Sequence, residues 1–155
     1  MINNRTGFQM KLDNDIRDFI VLLNKYDIEY LLIGGYAVIY YKVQRYTRDI
    51  DFLIRPAKSN AEKMLLVMQE FGMGSLGLTT GDFLDELIIQ IGFEPNRIDI
   101  LKSASGIDFV ESYKNREIAV LEDGTQINII SKQDLIKSKL AAGRDKDKYD
   151  VSELE

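Results

Sequence analysis

Apolar residues recur along the chain with two periods, which predict two kinds of secondary structure. Spacing near 3.6 residues predicts amphipathic helices over 13–26, 36–41, 60–71, 107–113, 131–142 and 146–154. Alternating segments and short apolar runs predict strands over 29–33, 48–54, 87–91, 97–101, 117–121 and 125–130. Because helices and strands interleave, we expect an α+β (α/β) fold in which helices flank a mixed β-sheet.

Two aspartates lie on one predicted strand at a spacing that suits metal binding. The segment 48–54 alternates, so Asp49, Asp51 and Leu53 share one face, and apolar side chains take the other face of a half-buried strand. Residues two apart on a strand lie roughly 6 to 7 Å apart, so two carboxylates can converge on shared hard cations. A lone Asp-x-Asp also occurs on ordinary solvated strands, so this motif requires support from other residues.

Gly34, Gly35 and Asp99 give that support. The glycine pair follows a predicted strand and precedes a helix, where backbone N–H groups and the helix N-terminus can approach a triphosphate. Asp99 lies between apolar residues of the segment 97–101 and joins the other two acids if the strands are neighbours. An aspartate there can activate an acceptor hydroxyl. Each feature alone has a structural explanation, but their combination favours a catalytic site.

Composition limits the chemistry that the chain can perform. With 155 residues, we expect a single domain, 1–155, whose segment 131–155 forms a C-terminal helical extension. The absence of cysteine and histidine excludes disulfides, thiolate or imidazole metal sites, and Ser-His-Asp catalysis. The net charge of −5 argues against nucleic-acid binding over the whole surface, although 131–148 carries six Lys/Arg against three Asp. With no signal peptide or apolar run long enough to span a bilayer, a cytoplasmic location is expected.

The motifs resemble those of the DNA polymerase β-like nucleotidyltransferase superfamily, in which an apolar residue and Gly-Gly precede a helix and then Asp-x-Asp. The segments 32–35 and 49–51 match that pattern. The closer similarity is to the AbiEii-like branch, which includes nucleotidyltransferase toxins of bacterial toxin–antitoxin systems. It rests on Gly-Gly-Tyr-Ala at 34–37, Arg-Tyr-Thr-Arg-Asp-Ile-Asp at 45–51, and the closing motif at 139–150.

The resemblance implies a nucleotidyltransferase fold and transfer of a nucleoside monophosphate from an NTP to a hydroxyl acceptor. By this resemblance the metal ligands for Mg²⁺ or Mn²⁺, which also carry catalysis, are Asp49, Asp51 and Asp99. The nucleotide-binding residues are Gly34, Gly35, Arg45, Thr47, Lys139 and Arg144. The acceptor is left open between the 3′ end of a tRNA, a protein and a small molecule, and a cognate antitoxin is one implied partner.

Two other functions remain open from the sequence. A non-catalytic nucleotidyltransferase-like module that binds a nucleotide, RNA or a partner protein would have the same fold. A sugar-nucleotide glycosyltransferase also uses Asp-x-Asp to bind metal. That class usually needs a larger nucleotide-binding sheet than 155 residues provide, and it leaves the glycine pair unexplained.

Overall fold

The computed structural model of the chain describes residues 2–3, 12–41 and 46–155. The strands are β1 (Ile2–Asn3), β2 (Tyr30–Ile33), β3 (Asp49–Ile54), β4 (Ile89–Ile91), β5 (Arg97–Leu101), β6 (Glu117–Val120) and β7 (Gln126–Ile129). The α-helices are α1 (Asn14–Lys25), α2 (Gly34–Tyr40), α3 (Lys58–Glu70), α4 (Phe109–Lys114), α5 (Lys132–Ala142) and α6 (Asp145–Leu154). Short 3-10 helices cover Gly74–Leu76 and Thr80–Phe83, between α3 and β4.

The strands form one mixed sheet of seven strands in the order β1-β6-β7-β2-β3-β5-β4. β3 lies inside the sheet, antiparallel to β2 and parallel to β5. At the two ends of the order, β1 pairs in parallel with β6, and β4 pairs antiparallel with β5. The mixed sheet with flanking helices confirms the predicted fold class.

The hydrophobic core fixes the position of β3. Phe19 of α1 is fully buried and its ring lies 5.6 Å from that of Phe52 and 5.1 Å from that of Phe71. Burial of one such ring contributes roughly 1.5–3 kcal/mol to folding. Asp13 caps the start of α1, where its side chain accepts a hydrogen bond from the backbone N–H of Asp15.

The prediction of a half-buried β3 was wrong for its carboxyl end. Leu53 shares a face with Asp51, yet only 1% of it is exposed. The reason is that Ala104, Ile107 and Phe109 lie around a cavity beside Leu53, so that the chain after β5 covers this part of the sheet. Both faces of β3 are therefore covered at this end, while the end that carries the aspartates stays partly open.

The helices α5 and α6 follow the last strand of the sheet and are joined by a short corner at 143–144. Ser131 accepts a hydrogen bond from the backbone N–H of Asp134 and so caps α5, and Gly143, with φ of 68°, ends this helix before α6 begins. A positive φ is easily adopted by glycine and disfavoured for other residues, which explains its use at this corner. In the described part of the chain, none of the helices has the length and apolar character required to cross a membrane.

Candidate active site

Three carboxylates meet where β3 and β5 run side by side. The parallel register pairs Asp51 with Asp99 and Asp49 with Arg97, and residues two apart on a strand share a face. One oxygen from each of Asp49, Asp51 and Asp99 lies within 4.8 Å of the others. The structure therefore brings together the three acids that the sequence singled out. Their apolar neighbours on the opposite face, such as Ile50 and Ile98, are buried and anchor both strands.

Arg97 belongs to this cluster, although no role for it was predicted from the sequence. Its Nε donates to Asp99 Oδ1 at 2.8 Å, and its Nη2 donates to Asp99 Oδ2 at 3.0 Å and to Asp49 Oδ2 at 2.8 Å. The hydrogen bonds to Asp99 raise the pKa of Arg97 against the opposing effect of burial. The signal was present in the sequence, because Arg97 and Asp99 stand two residues apart and must share a strand face.

The charge balance of the cluster favours a further cation. Three ionised carboxylates and one guanidinium sum to −2 formal charges within this group. Burial, followed by the negative charges of Asp49 and Asp99, raises the pKa of Asp51 to about 7, while Arg97 acts in the opposite direction. Carboxylate oxygens are the ligands that Mg²⁺ and Mn²⁺ prefer, and a divalent cation would relieve this repulsion. The donor set therefore fits such an ion.

Gly34 and Gly35 let the start of α2 approach β3 closely. Gly34 has φ of +72°, and a Cβ there would lie 2.1 Å from Asp51 Oδ2. A Cβ on Gly35 would lie 2.7 Å from Thr47 Oγ1, and that hydroxyl donates to the backbone oxygen of Asp49 at 3.1 Å. Any larger side chain would displace the acids or Thr47. Because Gly34 and Gly35 have no side chains, the turn that they form at the start of α2, here called the glycine turn, lies directly against the carboxylate cluster.

A cavity of about 650 Å³ opens beside the carboxylates. Its walls come from the glycine turn, from the segment 103–105 after β5, and from α5 and the α5–α6 corner. Several predicted site residues line it, namely Gly34, Gly35, Thr47, Asp49, Asp51, Lys139 and Arg144. Lys146 and Asp147 also line it, although the sequence predicted no separate role for either residue. Arg45 lies outside the described residues and stays a prediction.

Of the three basic residues predicted to bind nucleotide, the two that the structure describes differ in their surroundings. Lys139 is buried, and its Nζ lies 3.3 Å from Asp147 Oδ1 and 3.1 Å from Asp150 Oδ2. Arg144 is exposed over 60% of its side chain, although its Nε donates to Asp147 Oδ2 at 2.6 Å. The hydrogen bond to Asp147, and more weakly the charge of Asp51, raise the pKa of Arg144, so this guanidinium lies within the field of the carboxylate cluster.

Comparison with known proteins gives two findings. A family model described as "Nucleotidyltransferase of unknown function (DUF6036)" matches residues 9–155. The fold is similar to that of lincosamide antibiotic adenylyltransferase LnuA in a lincomycin-bound crystal structure, with a TM-score of 0.52 and 14% sequence identity. That likeness covers 94% of this chain and 98% of the other. No curated protein sequence matches the chain.

Proposed function

The chain belongs to the DUF6036 family of nucleotidyltransferases, and we propose that it transfers a nucleoside monophosphate from an NTP to a hydroxyl acceptor. The observation that carries this proposal is the convergence of Asp49, Asp51 and Asp99 beside the glycine turn, where Asp49 and Asp51 line a cavity of about 650 Å³. This volume lies within the range of cavities that take small ligands, and acids, glycines and cations line it together.

In the proposed reaction the acceptor oxygen attacks the α-phosphorus of the NTP and the bond from that phosphorus to the pyrophosphate oxygen breaks. The proton of the acceptor hydroxyl passes to a carboxylate oxygen of Asp99, which Arg97 holds in place through both of its oxygens. The backbone at Gly34 and Gly35 and the side chains of Thr47 and Arg144 would bind and orient the polyphosphate.

Asp49, Asp51 and Asp99 would hold Mg²⁺ or Mn²⁺. A divalent ion bound there would polarise the phosphate oxygens and neutralise the charge that develops on the departing pyrophosphate. Arg97 then has a second effect, since it offsets part of the carboxylate charge before any cation binds. Lys139, which the sequence analysis assigned to the triphosphate, lines the same cavity from α5.

A second part of the proposal concerns which molecule carries the acceptor hydroxyl. The resemblance to the AbiEii-like branch supports a tRNA 3′ end or a protein as acceptor, and with it a toxin function and an antitoxin partner. The similarity in fold to an adenylyltransferase crystallised with lincomycin supports testing small hydroxyl compounds as well. We propose the tRNA end first, because Arg144 and Lys146 add positive charge at the cavity wall.

The test is incubation of the full chain with each α-³²P-labelled NTP, Mg²⁺ and, separately, total tRNA, a protein extract and a set of small hydroxyl compounds. We expect wild-type protein to label one acceptor class, and Asp49→Asn/Asp51→Asn protein to label none. Asp82→Asn is the matched control, because Asp82 is a partly exposed acid outside the cavity lining. Magnesium-dependent NTP binding without transfer to any acceptor would instead support the binding-module alternative.

A further inference from the structure

The corner between α5 and α6 contains a cluster of four charged side chains, Lys139, Arg144, Asp147 and Asp150, which we call the corner cluster. Two positive and two negative groups give it no net formal charge. Asp147 is its centre, is 1% exposed, and contacts both cations. Burial acts to raise the pKa of Asp147, but hydrogen bonds from Arg144 and Lys139 outweigh it and hold this pKa below its ordinary range.

Asp147 holds Arg144 at both its backbone and its side chain. Its Oδ2 accepts from the Arg144 backbone N–H at 3.2 Å and from Nε at 2.6 Å, and its Oδ1 accepts from Nη2 at 3.2 Å. These contacts fix the guanidinium plane relative to α6. A bidentate carboxylate gives arginine a defined orientation that a single contact does not provide.

The same contacts leave part of the guanidinium available to the cavity. Arginine has five N–H donors, and Asp147 accepts from one on Nε and one on Nη2. The remaining three belong to a side chain that is 60% exposed and lines the cavity beside the carboxylates. A planar donor fork of this kind matches the oxygens of a phosphate. Lys139 differs, because its ammonium group is buried between two carboxylates of the cluster.

We propose that Asp147 is a positioning residue for the polyphosphate of the NTP: it holds the Arg144 guanidinium so that its remaining N–H groups bind phosphate oxygens in the cavity. This inference rests on the proposed function, since it names the group that binds the substrate polyphosphate at that same site. It assigns Arg144 to direct phosphate contact and Asp147 to an effect exerted through Arg144.

The experiment measures binding of magnesium tripolyphosphate to the full chain by isothermal titration calorimetry. This probe carries the phosphate charge without a nucleoside, so base preference does not enter. We expect Asp147→Asn and Arg144→Ala each to weaken binding about tenfold, and the double variant to bind no more weakly than Arg144→Ala alone. Two residues that act through one contact give non-additive effects, whereas independent effects would add.

Two further variants separate positioning from a general structural role. Arg144→Lys keeps the charge at an exposed position but loses the fork, so we expect a loss as large as in Arg144→Ala. Asp82→Asn is the matched control, because Asp82 also accepts the backbone N–H three residues earlier, from Thr79, at a helix start outside the cavity lining. We expect its affinity to be unchanged, and thermal unfolding reports whether each variant is folded at the assay temperature.

The outcomes distinguish this inference from the proposed function. Additive losses in the double variant, unchanged or tighter binding by Asp147→Asn, or wild-type affinity in Arg144→Lys would each overturn the role of Asp147 while wild-type transfer activity stays intact. Absence of both tripolyphosphate binding and transfer in the wild type would overturn the proposed function and this inference together.

Discussion

Replacement of Asp51 by asparagine is expected to stabilise the metal-free protein above neutral pH. Burial and the neighbouring acids raise the pKa of Asp51 to about 7, whereas the unfolded chain gives a carboxyl its ordinary value near 4. Between these values the folded protein binds the proton more tightly than the unfolded chain does, so stability falls as pH rises through this window. Asparagine keeps the shape of the side chain and removes the charge that the site disfavours.

The magnitude follows from the size of the pKa shift. A difference of about 3 pKa units, at about 1.36 kcal/mol each, sets an upper limit of about 4 kcal/mol above pH 7. Because Asp51 is partly exposed, solvent screens its charge, and we expect a gain of about 2 kcal/mol at pH 8. At pH 5 only about one unit of this window has been crossed, so with the same screening the gain should be only about 0.7 kcal/mol, and it should vanish below about pH 4, where Asp51 is protonated in both states.

Urea unfolding with EDTA at pH 5 and pH 8 measures this difference. Asp18→Asn is the control, because Asp18 is an exposed acid on α1 outside the cavity lining, and it should change stability little at either pH. An Asp51→Asn protein that is as stable as the wild type at pH 8, or less stable, would refute the view that this carboxylate is held in an unfavourable site. In 10 mM Mg²⁺ the wild type should gain stability, since a ligand of the folded state shifts unfolding, and the variant should gain less.

Three further predictions concern the same fold and site. Gly34→Ala should abolish Mg²⁺-dependent stabilisation in thermal unfolding, because its Cβ would lie 2.1 Å from Asp51 Oδ2. Gly124→Ala is the control, because Gly124 has φ of +90° and no heavy atom lies within 4 Å of the new Cβ. This control should lower stability by backbone strain alone and leave Mg²⁺ binding unchanged. Mg²⁺ affinity measured by calorimetry should rise between pH 6 and pH 8, because Asp51 with its pKa of about 7 must lose a proton to bind metal; an affinity that is constant with pH would contradict this. Asn60→Ala should lower the free energy of unfolding, measured by urea denaturation, by about 2–3 kcal/mol. The reason is that the buried Asn60 side chain accepts a hydrogen bond from the Glu29 N–H and donates to the Glu29 and Arg55 carbonyls. A loss below about 0.5 kcal/mol would show that water replaces these bonds.

The elements that carry the site were predictable because their residues alternate or repeat locally. The segment 97–101 was predicted with its observed bounds, and the two-residue spacing of Asp49 and Asp51 required a shared face. The pairing of Asp51 with Asp99 was not predictable in the same way, because strand neighbours and register depend on the packing of the whole sheet. The contact of Arg97 with Asp49 was not predictable for the same reason, since it exists only in that register, whereas the two-residue spacing of Arg97 and Asp99 was visible in the sequence.

The α5–α6 corner shows a second limit of sequence reasoning. The closing motif indicated Lys139 as a cation for the triphosphate. The structure also places Asp147 and Asp150 beside Lys139, eight and eleven residues later on the next helix. This pairing requires the chain to reverse direction at Gly143. A glycine at the end of a helix predicts that the helix stops there, but it does not determine the angle to the next helix.

The alternation of β3 and β5 also explains how the fold tolerates three acids in close contact. The mutual repulsion of Asp49, Asp51 and Asp99 opposes folding, and Arg97 offsets only part of it. On the opposite face of the same strands, Ile50, Phe52, Ile98 and Ile100 are each no more than 3% exposed. At roughly 1.5–3 kcal/mol for each buried side chain, these residues contribute more than the roughly 4 kcal/mol that ionised Asp51 opposes. The same strands can therefore hold a destabilising acidic face because their other face supplies much of the core.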